Sequence, residues 1–343
     1  MKKTFSLVLA ATLSISLILA GCGGGTQTKS SNEGQAAGEE GKTYTFKLAH
    51  ITQPTHIWHK TADKFNEELK ARSNGRMKVE TFPAGQLGAE KDMVQQLETG
   101  TLDFGIITNA YMSTRSEEFN AWFMPFLFSD IEKAVAARNS TAAKKILDGL
   151  SNQGLVGMDY IFAGNRHILM KSTTVTKPED LKGKKIRILG SPSIQDFWKA
   201  VGAGPTPMPL PEVYTALQTG VIDGIDIDLD ALMTEKYYET AKNFTLTNHM
   251  AWPGVVIANK TKLEALSPED QKIVAEAMKT AVDWGNKESI NLEKQNLDNL
   301  KTKGATVSEL SNNDSFKAVR DELYTKYSSN ALIKELIQEN QNK

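Results

Sequence analysis

The sequence predicts an α/β fold that is arranged as two lobes. Segments with the two-residue alternation of strands are followed repeatedly by segments with helical spacing, and this order is typical of α/β proteins. About 300 of the 343 residues remain once the N-terminal segments are set aside, a length that suits two lobes better than one. The third observation is a short internal sequence repeat, in which residues 97–106 resemble residues 217–226.

The two copies of the repeat are LETGTLDFGI and LQTGVIDGID, which share Leu, Thr-Gly and Asp at matching positions. Each segment is predicted to contain the end of a helix, a glycine that terminates this helix and the start of a strand. Helix-to-strand turns favour glycine in any protein, however, so the repeat can also arise by chance. If the repeat reflects a repeated structure, each half of the chain contains a similar β/α unit. Ligands of open α/β sheets bind beyond the carboxyl ends of the strands, so paired lobes would form a cleft between those ends.

The N-terminus has the pattern of a secretory signal. Lys2 and Lys3 precede a short apolar run, FSLVLAATLSISLILAG, with small residues at its end, which predicts a signal peptide over residues 1–21 and not a spanning helix. Cys22 follows Leu-Ala-Gly and resembles the lipidated cysteine of a bacterial lipoprotein; an ordinary secretory signal is the alternative. As the only cysteine of the chain, Cys22 excludes disulfides and a thiolate pair for a metal.

Residues 22–42 are expected to form a flexible tether. The stretch GGGTQTKSSNEGQAAGEEGK has no aromatic residue and no Ile, Leu or Val, so it cannot bury enough apolar surface to order itself. The globular part should begin near Thr43, held to a membrane surface on the extracytoplasmic side. The formal net charge of −1 gives no reason to expect a nucleic-acid partner.

Hydrophobic spacing predicts the order of the elements. The predicted strands are TYTFKLAHI, MKVETFPAG, LDFGIIT, KKIRIL and VIDGIDI. The predicted helices are the segment carrying Trp58, Ala62, Phe65 and Leu69, then KDMVQQLETG, IQDFWKAVGA and EVYTALQTG. Ser267 and Pro268 supply the cap and first position of a long helix near the C-terminus.

A cation lies inside one predicted strand. Arg187 stands between Ile186 and Ile188, so if the isoleucines enter a core, the guanidinium points to the opposite face. Two explanations fit this stretch alone. Arg187 either reaches water from an edge strand or faces an anionic partner.

Several ordered blocks resemble the solute-binding proteins of TRAP transporters, the DctP-like family. They are LAHITQPTHIWHKTADKF, FPAGQLGAEKDMVQQLETGTLDFGI, FMPFLFSD, DLKGKKIRILGSP, VGAGPTPMPLPEVYTALQTGVIDGID and KYYETAKNFTLTNHM. The resemblance implies a two-lobed periplasmic-binding-protein fold, type II-like, with a long C-terminal helix spanning both lobes. Lobe I would comprise 43–164 plus about 253–293, and lobe II 165–252 plus about 294–343.

The resemblance also implies a function. A family member closes on an organic acid and delivers it to a membrane permease with DctQ/DctM-like subunits. We expect a monomer that uses no cofactor and no metal. Arg187 occupies the family position that makes a two-pronged salt bridge with the ligand carboxylate. A planar fork of donors matches a carboxylate in a way that an ammonium group does not.

Further ligand-binding positions are carried over one at a time. Arg166 matches a second basic residue, and Glu90 an acidic residue facing the cleft. Leu210 and Ile227 stand where sialic-acid-binding relatives have an aromatic residue and an asparagine, which weakens the case for sialic acid. The other expected contacts are Thr108, Asn109 and Tyr111 after the third predicted strand, and Asp226, which is either an acceptor or a helix cap.

Histidines and tryptophans have less specific roles. His50 and His56 are candidates for contacts with ligand hydroxyl groups, and together with His59 they leave a zinc site conceivable. Trp252 is a candidate for stacking on a sugar ring, whereas Trp58 and Trp198 are expected in the core.

Other functions lack supporting motifs. The chain has no phosphate-binding glycine loop, nucleophile elbow or HExxH motif, which argues against an enzyme. A lipid-anchored adhesion protein and a binding-protein partner of a sensor kinase remain alternatives. A sugar acid such as a uronate or aldonate is the first candidate ligand, and a C4-dicarboxylate is the second.

Overall fold

A single mixed β-sheet runs through the computed structural model, which describes residues 42–310 and 313–341. Within these residues the strand order is β2-β1-β3-β8-β4-β7-β5-β6, with β9 paired to β8. The strands are β1 (Tyr44–His50), β2 (Met77–Phe82), β3 (Phe104–Thr108), β4 (Leu155–Met170), β5 (Lys185–Ile188), β6 (Gly204–Pro207), β7 (Gly224–Ile227), β8 (Asn243–Asn259) and β9 (Thr306–Glu309). The predicted signal peptide, Cys22 and the tether up to residue 41 lie outside the described residues.

Helices cover both faces of the sheet. The α-helices are α1 (Ile57–Arg72), α2 (Glu90–Thr99), α3 (Asn109–Met112), α4 (Ile131–Ala137), α5 (Thr141–Asp148), α6 (Pro192–Ala200), α7 (Val213–Thr219), α8 (Leu229–Thr234), α9 (Lys260–Glu264), α10 (Pro268–Thr302), α11 (Lys317–Tyr327) and α12 (Ala331–Asn340). A 3₁₀ segment, Glu117–Phe123, lies between α3 and α4. None of the helices in the described part of the chain combines the length and the apolar character needed to cross a membrane.

Two long antiparallel strands, β4 and β8, divide the sheet into halves. The C-terminal part of β8 pairs with β3, with Gly254 opposite Thr108, which places it in the half that contains β1 and β2. The C-terminal part of β4 pairs with β7, with His167 opposite Ile227, in the half that contains β5 and β6. The halves form the two lobes, and both long strands contribute to each.

The two copies of the internal sequence repeat have the same local structure. Gly100 ends α2 and Gly220 ends α7, and both adopt the left-handed backbone conformation, with φ of 75° and 78°. In this conformation glycine has no steric cost. The strands that follow, β3 and β7, both pair antiparallel to one of the long strands. The prediction of one equivalent helix–turn–strand unit in each lobe is therefore confirmed.

The long helix α10 contacts both lobes, as predicted. Ser267 caps it, because its hydroxyl accepts a hydrogen bond from the Asp270 amide at 3.1 Å. Near its middle, Asn286 donates to the carbonyl of Tyr160 on β4 at 3.0 Å. Nearly three turns later, Asn296 donates to Asp230 on α8 at 3.3 Å. The helix thus connects the first-lobe part of β4 to the second lobe.

Candidate functional site

Two adjoining cavities lie between the lobes. The inner cavity has a volume of about 10 Å³, which is room for about one water molecule. The outer cavity has a volume of about 540 Å³. Ile51 of the first lobe and Leu189 and Leu210 of the second line both of them. The inner cavity is lined by Ile51, Thr52, His56, Trp58, Thr108, Arg166, Arg187, Leu189, Leu210, Ile227, Asp228, Ala231 and Trp252.

Arg187 lines the inner cavity from strand β5. Its neighbours Ile186 and Ile188 are fully buried, and β5 lies between β6 and β7, so the edge-strand explanation is wrong. Nε and Nη2 donate to the carbonyl of Met208 at 3.0 and 2.8 Å, whereas Nη1 has no partner within 42–310 and 313–341. Burial lowers the pKa of Arg187 to about 10, so the group is still a cation at neutral pH.

Arg166 also lines the inner cavity, but its charge is already paired. Nε donates to Asp226 at 2.5 Å, Nη1 donates to Asp228 at 3.2 Å, and the guanidinium lies over the Trp252 ring at 3.9 Å. Nη2 also donates to the carbonyl of Asp226, so three of the five N–H donors of the guanidinium are used and two remain. Among the described residues that line the inner cavity, Arg187 is thus the arginine without a carboxylate within 4 Å.

Asp226 belongs to a buried polar cluster and not to the cavity lining. Its carboxylate accepts hydrogen bonds from Arg166 and from the indole of Trp198 at 2.8 Å, and lies 3.4 Å from His249. Burial raises the pKa of Asp226, but Arg166 and His249 outweigh burial and hold it well below its usual range. The helix cap is Asp228, which accepts from the Ala231 amide at 2.8 Å. The interpretation of Asp226 as a cap is therefore wrong.

Glu90 faces the outer cavity from the first turn of α2. Its carboxylate accepts from the Thr108 amide at 2.6 Å and from the Thr108 hydroxyl at 3.0 Å. Burial raises the pKa of Glu90 to about 7, although these hydrogen bonds and the charge of Arg187 act in the opposite direction. Tyr111 lines the same cavity, and Thr108 lines the inner one. The predicted first-lobe contacts Glu90, Thr108 and Tyr111 are thus brought together.

Asn109 lies outside the lining of both cavities. Its side chain is fully buried, and neither amide atom has a partner among the described residues. In this conformation Asn109 therefore does not reach either cavity, where it was predicted to contact a ligand.

The histidines separate into two kinds. His50 lies outside both cavities, because its ring is held by His59 at 3.0 Å and by the Thr52 hydroxyl at 3.0 Å. Burial lowers the pKa of His50 to about 3, so the ring is neutral. His56 does line the inner cavity, accepts from the Trp58 amide at 3.1 Å and lies 3.5 Å from Asp230. Across the described ranges, no group of three or more His, Cys, Asp or Glu side chains is placed to hold a metal ion.

Sequence reasoning missed part of the inner cavity. Trp58 was expected in the core, yet it lines the cavity and its indole nitrogen has no partner. The Met208 carbonyl, which orients Arg187, has no signal in the sequence because main-chain acceptors are common to every residue. Asp228 could have been predicted from the sequence, because it follows Asp226 at the two-residue spacing of a strand and stands at the start of the next helix. The other unanticipated lining residues are Ile51, Thr52, Leu189 and Ala231.

Comparison with known proteins identifies the family. Residues 48–330 match the model of the family DctP, described as bacterial extracellular solute-binding protein, family 7. The 2,3-diketo-L-gulonate-binding periplasmic protein YiaO of Escherichia coli K12 is 31% identical over 77% of this chain and 80% of its own length. The C4-dicarboxylate-binding periplasmic protein DctP of Rhodobacter capsulatus is 30% identical over 76% of this chain and 78% of its own length.

A solved structure gives the same result at the level of the fold. A TRAP periplasmic solute binding protein from Xanthobacter autotrophicus Py2, with bound β-D-galacturonate, superposes with a TM-score of 0.82. It is 30% identical, and the match covers 87% of this chain and 99% of that one. The chain described here therefore belongs to family 7 of the bacterial extracellular solute-binding proteins, the DctP family of TRAP transporter binding proteins.

Proposed function

We propose that this binding protein captures an organic acid with one carboxylate, a sugar acid such as a uronate or an aldonate, and delivers it to TRAP permease subunits of the DctQ/DctM kind. The observation that carries the proposal is the buried Nη1 group of Arg187, which has no partner and lines a cavity between two lobes. A buried cation of this kind favours an anionic ligand, because binding supplies the missing charge-assisted hydrogen bonds.

The charge arrangement favours one carboxylate over two. A C4-dicarboxylate would use both arginines as carboxylate receptors, but two aspartates already neutralise Arg166. The relatives support both ligand classes, since a galacturonate-bound structure and a C4-dicarboxylate-binding protein are similarly close to this chain. The C4-dicarboxylate is therefore the second candidate, and a direct comparison separates the two.

Calorimetric titration of the purified protein with D-galacturonate, D-galactonate and succinate tests the proposal. We expect a sugar acid to bind at least ten times more tightly than succinate. At a ligand concentration 100 times Kd, binding should raise the unfolding free energy by about 2.7 kcal/mol, which a thermal shift detects. Tightest binding of succinate would select the second candidate, and no binding of any carboxylate would refute the proposal.

Closure of the lobes on the ligand is part of the same proposal. The lobe limits given above are supported by the register of β4 and β8, which shifts between Phe162 and Asn165 near the proposed limit at residue 164. Hydrogen bonds across the lobes hold the present arrangement, since the Ile57 amide donates to Asp230 at 2.8 Å and the Ser193 amide to Asn120 at 3.1 Å. In the calorimetry samples, a smaller scattering radius with ligand supports closure, and an unchanged radius contradicts it.

We also propose that Cys22 carries a lipid that anchors the protein on the extracytoplasmic side of the membrane. The order of a positive start, an apolar run and Leu-Ala-Gly-Cys supports this. In the producing bacterium, Cys22→Ala should move the protein from the membrane fraction to the soluble fraction. Retention of the variant in the membrane fraction would contradict the lipid anchor.

A further inference from the structure

The inner cavity is lined by two residues with a buried donor that has no partner in the described part of the chain. The donors are Nη1 of Arg187 and the indole Nε1 of Trp58, whose side chain is 1% exposed. Five other polar side chains of the lining have partners: Thr52 contacts His50, Thr108 contacts Glu90, and His56, Arg166 and Asp228 make the contacts given above. A buried donor without a partner costs free energy, so two in one small cavity indicate that a bound molecule supplies acceptors.

The indole of Trp58 is held in one orientation. Gly254 on β8 leaves room for the ring, since a Cβ atom there would lie 2.7 Å from Cζ2 of Trp58. The His56 ring packs against the indole edge-to-face, with ring centroids 5.5 Å apart. Because Gly254 and His56 both pack closely against the ring, they restrict the direction of the N–H bond as well. This is the arrangement of a preorganised ligand donor, whereas a ring that only fills core volume requires no such constraint on its nitrogen.

The size of the cavity limits what the two donors can bind. At about 10 Å³ the inner cavity has room for about one water molecule in the present arrangement, so a ligand carboxylate must widen it on entering. Because both donors line this one cavity, they act on atoms that lie close together in the ligand. Arg187 can serve both carboxylate oxygens end-on, one from Nη1 and one from the Nη2 hydrogen that Met208 does not use. The Trp58 donor then remains for the next acceptor along the ligand.

We propose that Trp58 is a ligand-binding residue and that its indole N–H donates to an oxygen on the carbon next to the ligand carboxylate. The ligand class is then a 2-oxygenated acid, with a hydroxyl, keto or ring oxygen at that carbon. This inference rests on the proposed function, because it assumes that the ligand carboxylate binds Arg187. It adds a specificity-determining residue and a chemical requirement on the ligand.

Trp58→Phe tests the inference, because it removes the N–H and keeps an aromatic ring in place. Calorimetry is performed on the wild type and the variant with D-galactonate and with 2-deoxy-D-galactonate, which lacks only the oxygen in question. We expect the variant to bind D-galactonate about tenfold more weakly, the cost of one buried hydrogen bond, and to bind the deoxy acid within twofold of the wild type. An undiminished affinity for D-galactonate, or equal losses for both acids, would overturn the assignment.

Trp122→Phe is the matched control. Trp122 is also fully buried, but it packs against Tyr160 and Phe162 in the first lobe and lines neither cavity. It should lose stability without losing affinity for either acid. If the wild type binds neither acid and no other carboxylate, the proposed function falls together with this inference; if it binds D-galactonate and Trp58→Phe has no effect, only this inference falls.

A spectrum of the unaltered protein covers the case in which Trp58→Phe does not fold. The chain has 5 tryptophans, and each gives one indole N–H signal in a ¹H–¹⁵N spectrum. The Trp58 signal is the one that remains in every single Phe variant of the other four. We expect D-galactonate to shift this signal downfield more than the deoxy acid does. Equal shifts from the two acids would contradict a bond to the 2-oxygen.

Discussion

Replacing Arg187 by Gln is expected to weaken binding of a sugar acid by about 100-fold or more. The carboxylate would lose two charge-assisted hydrogen bonds, each worth roughly 1.5 to 3 kcal/mol. The unliganded protein should keep its stability or gain some, because the lost guanidinium is buried, has a pKa lowered to about 10 and, among the described residues, hydrogen-bonds only to the Met208 carbonyl. Calorimetry and urea unfolding of the same samples measure the two effects.

Arg138→Gln should show the opposite behaviour. Arg138 forms ion pairs with Asp159 and Asp283 and lines neither cavity. The variant should be less stable than the wild type and should bind ligand with unchanged affinity. An Arg187→Gln variant that bound within threefold of the wild type would contradict the role given to this arginine, because among the described residues that line the inner cavity no other arginine lacks a carboxylate partner.

Replacing Asp226 by Asn is expected to lower the unfolding free energy at pH 7 by about 3 kcal/mol. The substitution keeps the shape and an acceptor for Trp198, but it leaves buried Arg166 with Asp228 as its sole counter-charge among the described residues. Breaking a buried ion pair from one side costs roughly 3 to 5 kcal/mol, and the remaining aspartate favours the lower value. Urea unfolding measures the difference.

The pH dependence of this difference has a definite sign. The pKa of Asp226 is held below its usual range in the folded protein, so its contribution is full above the usual aspartate pKa and is lost as the pH falls through the lower, folded value. The gap between wild type and Asp226→Asn should therefore be widest near neutral pH and narrow in strong acid. Asp321→Asn, at an exposed acid paired with Lys317, should change stability by less than about 0.5 kcal/mol. Similar losses for both variants would contradict a special role for the buried cluster.

The sequence predicted local features of the fold well. The alternation around Arg187 placed the two isoleucines in the core and the guanidinium on the other face, and the glycines at 100 and 220 predicted the helix ends. These predictions depend on residues within one turn or one strand. Long strands such as β4 are harder to predict from the sequence. A register shift between Phe162 and Asn165 moves the following side chains of β4 to the opposite face of the sheet and so breaks the two-residue pattern.

The site itself depends on contacts that sequence spacing does not contain. Arg166 meets Asp226 and Asp228 across about 60 positions, so its neutralisation is visible only once β4 and β7 pair. His50 was a reasonable candidate at the end of the first strand, but its ring is occupied by His59 of the following helix. Trp58 has core-like spacing on α1, and it is distinguished from a packing residue by its place in the lining of the inner cavity together with its unpartnered nitrogen.

The central claim is that Arg187 receives the carboxylate of an organic acid between two closed lobes. The most direct measurement is a crystal structure of the protein grown with D-galacturonate. The account predicts a carboxylate oxygen about 3 Å from Nη1 of Arg187, enclosed by residues of both lobes. A ligand carboxylate bound elsewhere, with Nη1 of Arg187 turned toward a protein acceptor, would contradict it.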